Sequence, residues 1–437
     1  MTPAAGSGSS GTTGQPLPEP PPPDHFPLAV SPDRRRLVGA DGRPFLIQGD
    51  AAWSLIANTT LADAQRYLDE RRAQGFNTIM VSLIEHLFST DPPRNLAGDE
   101  PFTRPGDFRT PNDAYMAHAE RVLDLAAERG FLVLLAPAYL GYRDPHYPGY
   151  AGRPEGWYDE VVANGPEGGR AWGEYLGRRF GRFQNIMWTI GGDRDPEQAF
   201  SALDALARGL RSAGVTTPFT AHVHPEHSPL DVYPGVDWLD VNPTYTYGIV
   251  HRMLIGDWQR RPVVPFFLIE STYEGEHDAS ALQIRRQVYW SVLCGGNGHI
   301  MGNKPTWLFG AGWRDALRSP GSIAMARWGA CFRALRWADL APDLDASIAT
   351  SGLGEARGLD RVTLAVTADR TLAVAYLPVR RPLTIETGRL RGPRLAVDWF
   401  EPATGRRAGG GRVETGGPLT LAPPFDEDSV LELRTAD

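Results

Sequence analysis

The sequence predicts a (β/α)8 TIM barrel followed by a small all-β sandwich domain. Three observations carry this. Apolar runs of strand length recur along the chain, and several follow a helical pattern that ends in glycine. Eight such runs can be counted from residue 45 to residue 302. Past about Leu340 the helical spacing gives way to short strands separated by turns.

The elements follow in order. Residues 1–26, Gly/Ser/Thr-rich and then Pro-rich, bury too little to fold and predict a flexible tether. That stretch has no charged segment leading into an apolar one, so it does not itself read as a signal peptide. The first strand falls in 45–53. The helix Leu61–Ala73, with Thr60 as cap and Asp63 in its first turn, leads through Gly75 to a second strand at 76–82. A helix over 113–129 leads through Gly130 to a third at 131–137. Phe180-Gly181 precedes the run 185–193, and Ala213-Gly214 precedes 219–223. The remaining strands are expected near 238–241, 265–270 and 299–302. The thin repeat is 225–235, which is Pro-rich and too short for a full helix, so a degenerate connection is expected there. A doubly wound open sheet is the competing architecture; no Gly-rich phosphate fingerprint follows the first strand to support it.

Long segments at 84–111 and 139–169, rich in Pro, Gly, Tyr, Asp and His, are expected to wall the barrel mouth. Strands at 362–366, 371–377, 383–387, 395–400 and 429–433 make the second domain, with Gly409-Gly410-Gly411 read as a turn. The domains are thus 27–340 and 341–437, the second assigned support or carbohydrate binding because it lacks acid clusters.

Composition narrows the function classes. A net charge of -8 leaves no footprint for nucleic acid or an anionic membrane. No run is long and apolar enough to span a bilayer. The two cysteines, Cys294 and Cys331, read as buried free thiols.

Two carboxylates lead the candidates for chemistry. Asp193 closes the run from Asn185, and Glu270 closes the run from Val263. A carboxylate at the C-terminal end of a barrel strand sits where such enzymes keep their chemistry. Glycoside hydrolysis needs one carboxyl to protonate the leaving oxygen and a second to attack the anomeric carbon or activate water. Gly191 and Gly192 are expected to let the backbone turn sharply and approach a ligand closely. Asp195, just before Pro196, suits the cap of the following helix, and Arg194 is expected to turn away from the acid. Asp50 and Trp53 would hold sugar hydroxyls and a ring face, or else cap a helix and pack in the core. His86, Tyr139, His222, His224, Asn242, Tyr245 and Trp307 place a polar or aromatic group after most strands and are read as substrate-binding. The pair His222 and His224 lacks a third ligand at useful spacing, so no metal is assigned. No Ser-His-Asp elbow, phosphate loop or zinc-helix motif is present.

Several stretches resemble the apiosidase-like glycoside hydrolase family. These are 42–53 around Gln48-Gly49-Asp50, 71–77, Trp188-Thr189-Ile190-Gly191-Gly192-Asp193-Arg194, Ile269-Glu270-Ser271-Thr272-Tyr273-Glu274-Gly275 and 289–299. Tyr376-Leu377-Pro378 and Trp399-Phe400-Glu401-Pro402-Ala403-Thr404-Gly405 resemble its companion β domain of the collagen-binding type. The resemblance implies Asp193 as acid/base, Glu270 as nucleophile, a retaining mechanism and no metal or organic cofactor. It also implies an oligosaccharide or polysaccharide of plant or microbial origin as substrate, and an extracellular or periplasmic setting. Two departures stand out: Ser271 replaces the proline common after the nucleophile, and 242–247 differ from the Gln/Ser/Gly/His-rich stretch expected there. Apiose specificity is therefore not carried over. A carbohydrate-binding or adhesion protein on an inactive barrel is the other class; cleavage of a glycan panel separates the two. A metal-dependent barrel hydrolase would instead be inhibited by chelators.

Overall fold

The computed structural model describes residues 25–143 and 154–436. Most of the expected tether, and the centre of the second long segment, lie outside the described residues. His25, placed in the tether by sequence, is buried and packs against the Phe45 ring, so the described fold already includes it.

Eight parallel strands form the central sheet. They are β1 (Ile47–Ala51), β2 (Thr78–Ser82), β3 (Leu132–Ala136), β4 (Ile186–Gly191), β5 (Phe219–His222), β6 (Asn242–Tyr245), β7 (Phe266–Glu270) and β8 (Gly298–Met301). Their order is β5-β4-β3-β2-β1-β8-β7-β6. The first strand joins the eighth, and the sheet curls into a nearly closed barrel. At the remaining seam β5 and β6 form no ladder. Val241 N–H donates to Phe219 O at 3.1 Å, and the Thr220 hydroxyl donates to Val241 O at 3.0 Å. Sequence accounts for this. Asn242 turns its N–H toward β7, reaching Pro265 O at 2.9 Å. Alternation then turns Pro243 toward β5 with no N–H to give. Strand six thus begins at Asn242 rather than near 238, and Trp238 packs in the helix layer.

The helices are α1 (Leu61–Ala73), α2 (Asp113–Glu128), α3 (Tyr158–Phe180), α4 (Phe200–Ser212), α5 (Pro229–Val232), α6 (Val250–Gln259), α7 (Ala281–Leu293), α8 (Trp313–Ala316) and α9 (Pro320–Arg333). Thr60 caps α1 by accepting from Asp63 N–H at 3.1 Å. Gly75, Gly130 and Gly214 take φ of 82°, 70° and 93°, the left-handed conformation that ends a helix. Gly181 differs, with φ at -62°. The single turn of α5 is the degenerate repeat. Helix α3 begins inside the segment read as a loop, and it is interrupted at Gly165, before Pro166.

Side chains alternate between two cores. Ile47, Ala51, Met80, Leu132, Leu134, Met187, Phe267 and Ile300 fill the barrel, with Leu28, Leu37 and Phe45 beside them. Ile79, Val133, Trp188, Ile190 and Leu268 face the helix layer.

The C-terminal strands are β9 (Leu340–Pro342), β10 (Ala349–Ser351), β11 (Thr363–Thr367), β12 (Leu372–Leu377), β13 (Leu383–Glu386), β14 (Arg394–Phe400), β15 (Arg407–Glu414), β16 (Pro418–Leu421) and β17 (Ser429–Ala436). They build antiparallel sheets ordered β9-β11-β12-β17-β14-β15 and β10-β13-β16. The glycines 409–411 lie inside β15, where Gly410 is the extra residue of a bulge opposite Val397 and Asp398, rather than in a turn. Leu364, Leu377, Ile385, Leu395 and Trp399 fill the sandwich. The other face of the large sheet packs on the barrel: Tyr376 stacks on Tyr289 of α7 with centroids 4.6 Å apart. Arg285 of α7 donates to Asp428 at 2.7 Å, and Tyr376 OH donates to the same oxygen at 2.9 Å. Breaking a buried pair strands its partner, at a cost of about 3–5 kcal/mol. Arg285→Ala should therefore lower the denaturation midpoint of the whole chain; an unchanged midpoint would show that the pair contributes nothing net.

Candidate active site

At the C-terminal end of the barrel strands lies a pocket of ≈ 750 Å³, within the ordinary range of ligand sites. Asp193 and Glu270 both line it. They arrive there by different routes.

Asp193 follows β4 through two glycines. A Cβ on Gly191 would lie 2.5 Å from His222 O, and one on Gly192 would lie 2.3 Å from the Tyr139 ring. The glycines thus admit the protein's own neighbouring strands closely, which is what brings Asp193 against them. Asp193 itself has φ of 30°, a sparsely populated conformation for a residue with a side chain. Its N–H donates to His222 Nδ1 at 3.1 Å, and Tyr139 OH donates to its Oδ2 at 2.8 Å. Oδ1 is buried with no hydrogen bond among the described residues.

Glu270 should face outward by simple alternation, since Phe267 and Ile269 point into the barrel. A register shift changes that: Thr244 pairs with Leu268, but Tyr245 pairs with Glu270. The extra residue in β7 is a bulge, and bulges re-aim side chains. Glu270 turns inward as a result. His222 Nε2 lies 2.9 Å from its Oε2.

His222, fully buried at the end of β5, joins the two acids. Its Nδ1 accepts from the Asp193 N–H, so that nitrogen carries no proton, and Nε2–H donates to Glu270. Burial, then the Glu270 charge, raise the Asp193 carboxyl pKa to about 7 against the opposing pull of His222 and the Tyr139 hydrogen bond. For His222, burial acts to lower the pKa, but the Asp193 charge and the Glu270 hydrogen bond outweigh it. These pulls compete for one proton. The backbone N–H aimed at Nδ1 assigns it to Asp193, whose Oδ1 lies 3.3 Å from that nitrogen and is placed to carry it. One oxygen from each acid and a ring nitrogen of His222 lie within 4.8 Å of one another. The cluster is compact enough to hold a cation, yet ligation through His222 would displace one of its two ring hydrogen bonds.

The other candidates separate cleanly. Trp53, Tyr139 and Trp307 line the pocket. Trp53 Nε1 donates to Tyr273 OH at 3.1 Å, and Trp307 Nε1 donates to Glu276 at 3.0 Å. Tyr245 lies beneath, its ring 4.8 Å from that of His222 and its OH bonded to pocket-lining Tyr247. Asp50 does not reach the pocket. Ile47 and Ala51 face the barrel, so Asp50 points to the helix layer, where Arg71 and Tyr67 donate to it at 2.7 and 2.6 Å. Asn242 likewise points outward, bonded to Asp257 and Ser228. His86 pairs with Glu160 beside Trp157. His224 turns its Nδ1 to Pro225 O and stacks near Tyr142, one shell out. Asp195 makes no helix-cap hydrogen bond among the described residues; it accepts from His227 and from the His224 N–H. Arg194 turns away from Asp193, over the Tyr158 ring and onto Glu197.

Sequence reasoning missed Glu85, Tyr142, Glu155, Tyr247, Tyr273, Glu276, His277 and Lys304, all pocket-lining. Tyr273 and Glu276 follow Glu270 within a few residues, so loop position alone would have proposed them. Glu85 is held by Ser54 Oγ and by the N–H groups of 86–88.

The apiosidase-like catalytic domain model matches residues 31–339. A second model, "Putative collagen-binding domain of a collagenase", matches residues 349–434. A solved structure described as a glycoside hydrolase is 21% identical with a TM-score of 0.81, covering 94% of this chain and 97% of its own. A glycoside hydrolase of family 5 from Bacteroides vulgatus ATCC 8482 is 22% identical with a TM-score of 0.81, covering 93% of each chain. At these identities the two structures speak for the fold. No curated protein matches the chain.

Proposed function

The chain belongs to the apiosidase-like family of glycosidases, and from that premise we propose that it cleaves O-glycosidic bonds in plant or microbial glycans with retention of configuration. Glu270 is the nucleophile and Asp193 the acid/base. The observation that carries this is the spacing: an Asp193 oxygen and a Glu270 oxygen come within 4.8 Å. Retaining enzymes hold their carboxyl groups roughly 5–5.5 Å apart, whereas inverting enzymes leave roughly 6.5–9.5 Å for a water.

In the first step a Glu270 oxygen bonds to the anomeric carbon while the bond to the leaving oxygen breaks and takes up the Asp193 proton. In the second step Asp193 removes a proton from water, whose oxygen displaces Glu270 from the same carbon. His222 orients Glu270 by donating Nε2–H to it, and Tyr139 fixes the rotamer of Asp193. Trp53 and Trp307 offer ring faces to the sugar. Walls from the loops after β2, β3, β7 and β8 favour a pocket that takes a chain end, hence exo action. An extracytoplasmic setting suits a glycan substrate. Proton NMR of the first-formed product tests the mechanism: release of the opposite anomer would sink it.

Asp193 sets a pH dependence. It must be protonated to serve as acid, and burial with the Glu270 charge holds it up at about 7. As pH rises through that value the acid proton is lost, so kcat/KM should fall about tenfold per unit above it. A folded pKa above the unfolded one also means that this group's contribution to stability, fully present below the ordinary value of 3.8, is lost as pH rises from there through about 7. An alkaline limb absent below pH 9 would contradict the assignment.

A further inference from the structure

Asp193, His222 and Glu270 each bring a donor atom within 4.8 Å of the other two, from the ends of β4, β5 and β7. Among the described residues this is the one cluster of three or more histidine, cysteine or acidic groups so spaced. Along the sequence His222 has only His224 beside it as a second ligand, with no third at useful spacing. The fold breaks up that pair, because His224 turns its Nδ1 to Pro225 O. It sets two carboxylates from other strands around His222 instead.

Two acceptors face each other inside the cluster. His222 Nδ1 carries no proton, and Asp193 Oδ1, buried without a hydrogen bond among the described residues, lies 3.3 Å from it. Lone pairs that close repel unless a positive group comes between them. The carboxyl proton of Asp193 is one such group, and a divalent cation is another. Two ligands on a tetrahedral zinc ion stand roughly 3.4 Å apart, the edge set by bonds of about 2.1 Å. Glu270, its side chain 5% exposed, adds a third protein ligand. The pocket that Asp193 and Glu270 line gives an ion a way in and leaves room for a water. Three protein ligands with a fourth position open is a common zinc arrangement.

The donor set selects the ion. Mg²⁺ and Ca²⁺ take oxygen ligands, whereas zinc accepts an imidazole nitrogen together with carboxylates. Cys294 and Cys331, the thiols that would compete for it, are both buried. The cost is the hydrogen bond from the Asp193 N–H to Nδ1, which the ion replaces. We propose that Asp193, His222 and Glu270 form an inhibitory zinc site, so that Zn²⁺ reversibly switches the catalytic centre off. The bound ion takes the lone pairs that the reaction needs. Asp193 then holds no proton for the leaving oxygen, and Glu270 has no free oxygen aimed at the anomeric carbon. Sugar and ion therefore exclude each other. This inference rests on the glycosidase reading, and it names a regulator of that same site.

Calorimetric titration of the native chain with zinc chloride reads binding without any substrate. One Zn²⁺ per chain should bind at this cluster, and an excess of Mg²⁺ or Ca²⁺ should not displace it. Asp193→Asn, Glu270→Gln and His222→Asn each remove a ligand and should each weaken binding at least about tenfold, with the fold checked by circular dichroism. His227→Ala, which breaks the exposed pair with Asp195, should leave the affinity unchanged. On a glycoside that the native enzyme cleaves, Zn²⁺ should inhibit competitively over the concentrations at which it binds, and a chelator should restore turnover. No stoichiometric binding, an affinity that survives all three ligand variants, or activation by Zn²⁺ would each overturn the proposal. Hydrolysis by the native enzyme reads the underlying assignment separately: zinc binding that follows the three variants, in a protein that cleaves no glycan, would strike the glycosidase reading and leave the metal site standing.

Discussion

Glu270→Gln should lower kcat on the order of 10⁴-fold or more, with the fold intact by circular dichroism. The amide is nearly isosteric with the carboxylate and can still meet His222 Nε2–H through its oxygen, so the loss would report chemistry rather than packing. Glu270→Gly sharpens the result. It opens a cavity beside the anomeric carbon where azide can attack in place of the carboxylate, and the product should be a glycosyl azide of inverted configuration. Rescue that gives the retained anomer, or Glu270→Gln with near-native turnover, would remove Glu270 from the nucleophile's role.

Asp193→Asn should cost about 10² to 10⁴-fold, the usual worth of a positioned general acid. The loss should depend on the leaving group. A nitrophenolate departs without help, so aryl glycosides with good leaving groups should form the glycosyl-enzyme at nearly native rates and then stall, because water lacks its base. Natural linkages should be slow at the first step. The alkaline limb near pH 7 should vanish with the carboxyl, since burial and the Glu270 charge raise this group in particular. A uniform loss across leaving groups, with the pH profile unmoved, would mean that Asp193 only holds the site together.

Local chemistry was readable in the sequence at several points. Thr60 and Asp63 begin α1 as expected, and Gly75, Gly130 and Gly214 end their helices in left-handed conformations. Gly181 does not, because a glycine after a helix can equally serve close packing. For Asp50, open between two roles in the sequence, and for Asn242, expected at the substrate, a deciding signal was present. Counting alternate residues from Ile47, or from Val241, sends both side chains to the helix layer. Glu270 shows why parity alone is an incomplete guide: the same count would have turned it outward, and a bulge opposite Tyr245 turns it back.

What the chain determines by itself is the repeat of strand and helix, the acids at the ends of two strands, and the apolar alternation that sorts residues into two cores. These follow from neighbours along the polymer, where backbone sterics and spacing act directly. Closure of the barrel, the register shift that aims Glu270, and the seat of His222 between two acids are decided only by tertiary structure. Each depends on groups brought together from β4, β5 and β7, and the Asp193 N–H aimed at His222 Nδ1 settles which one keeps the proton.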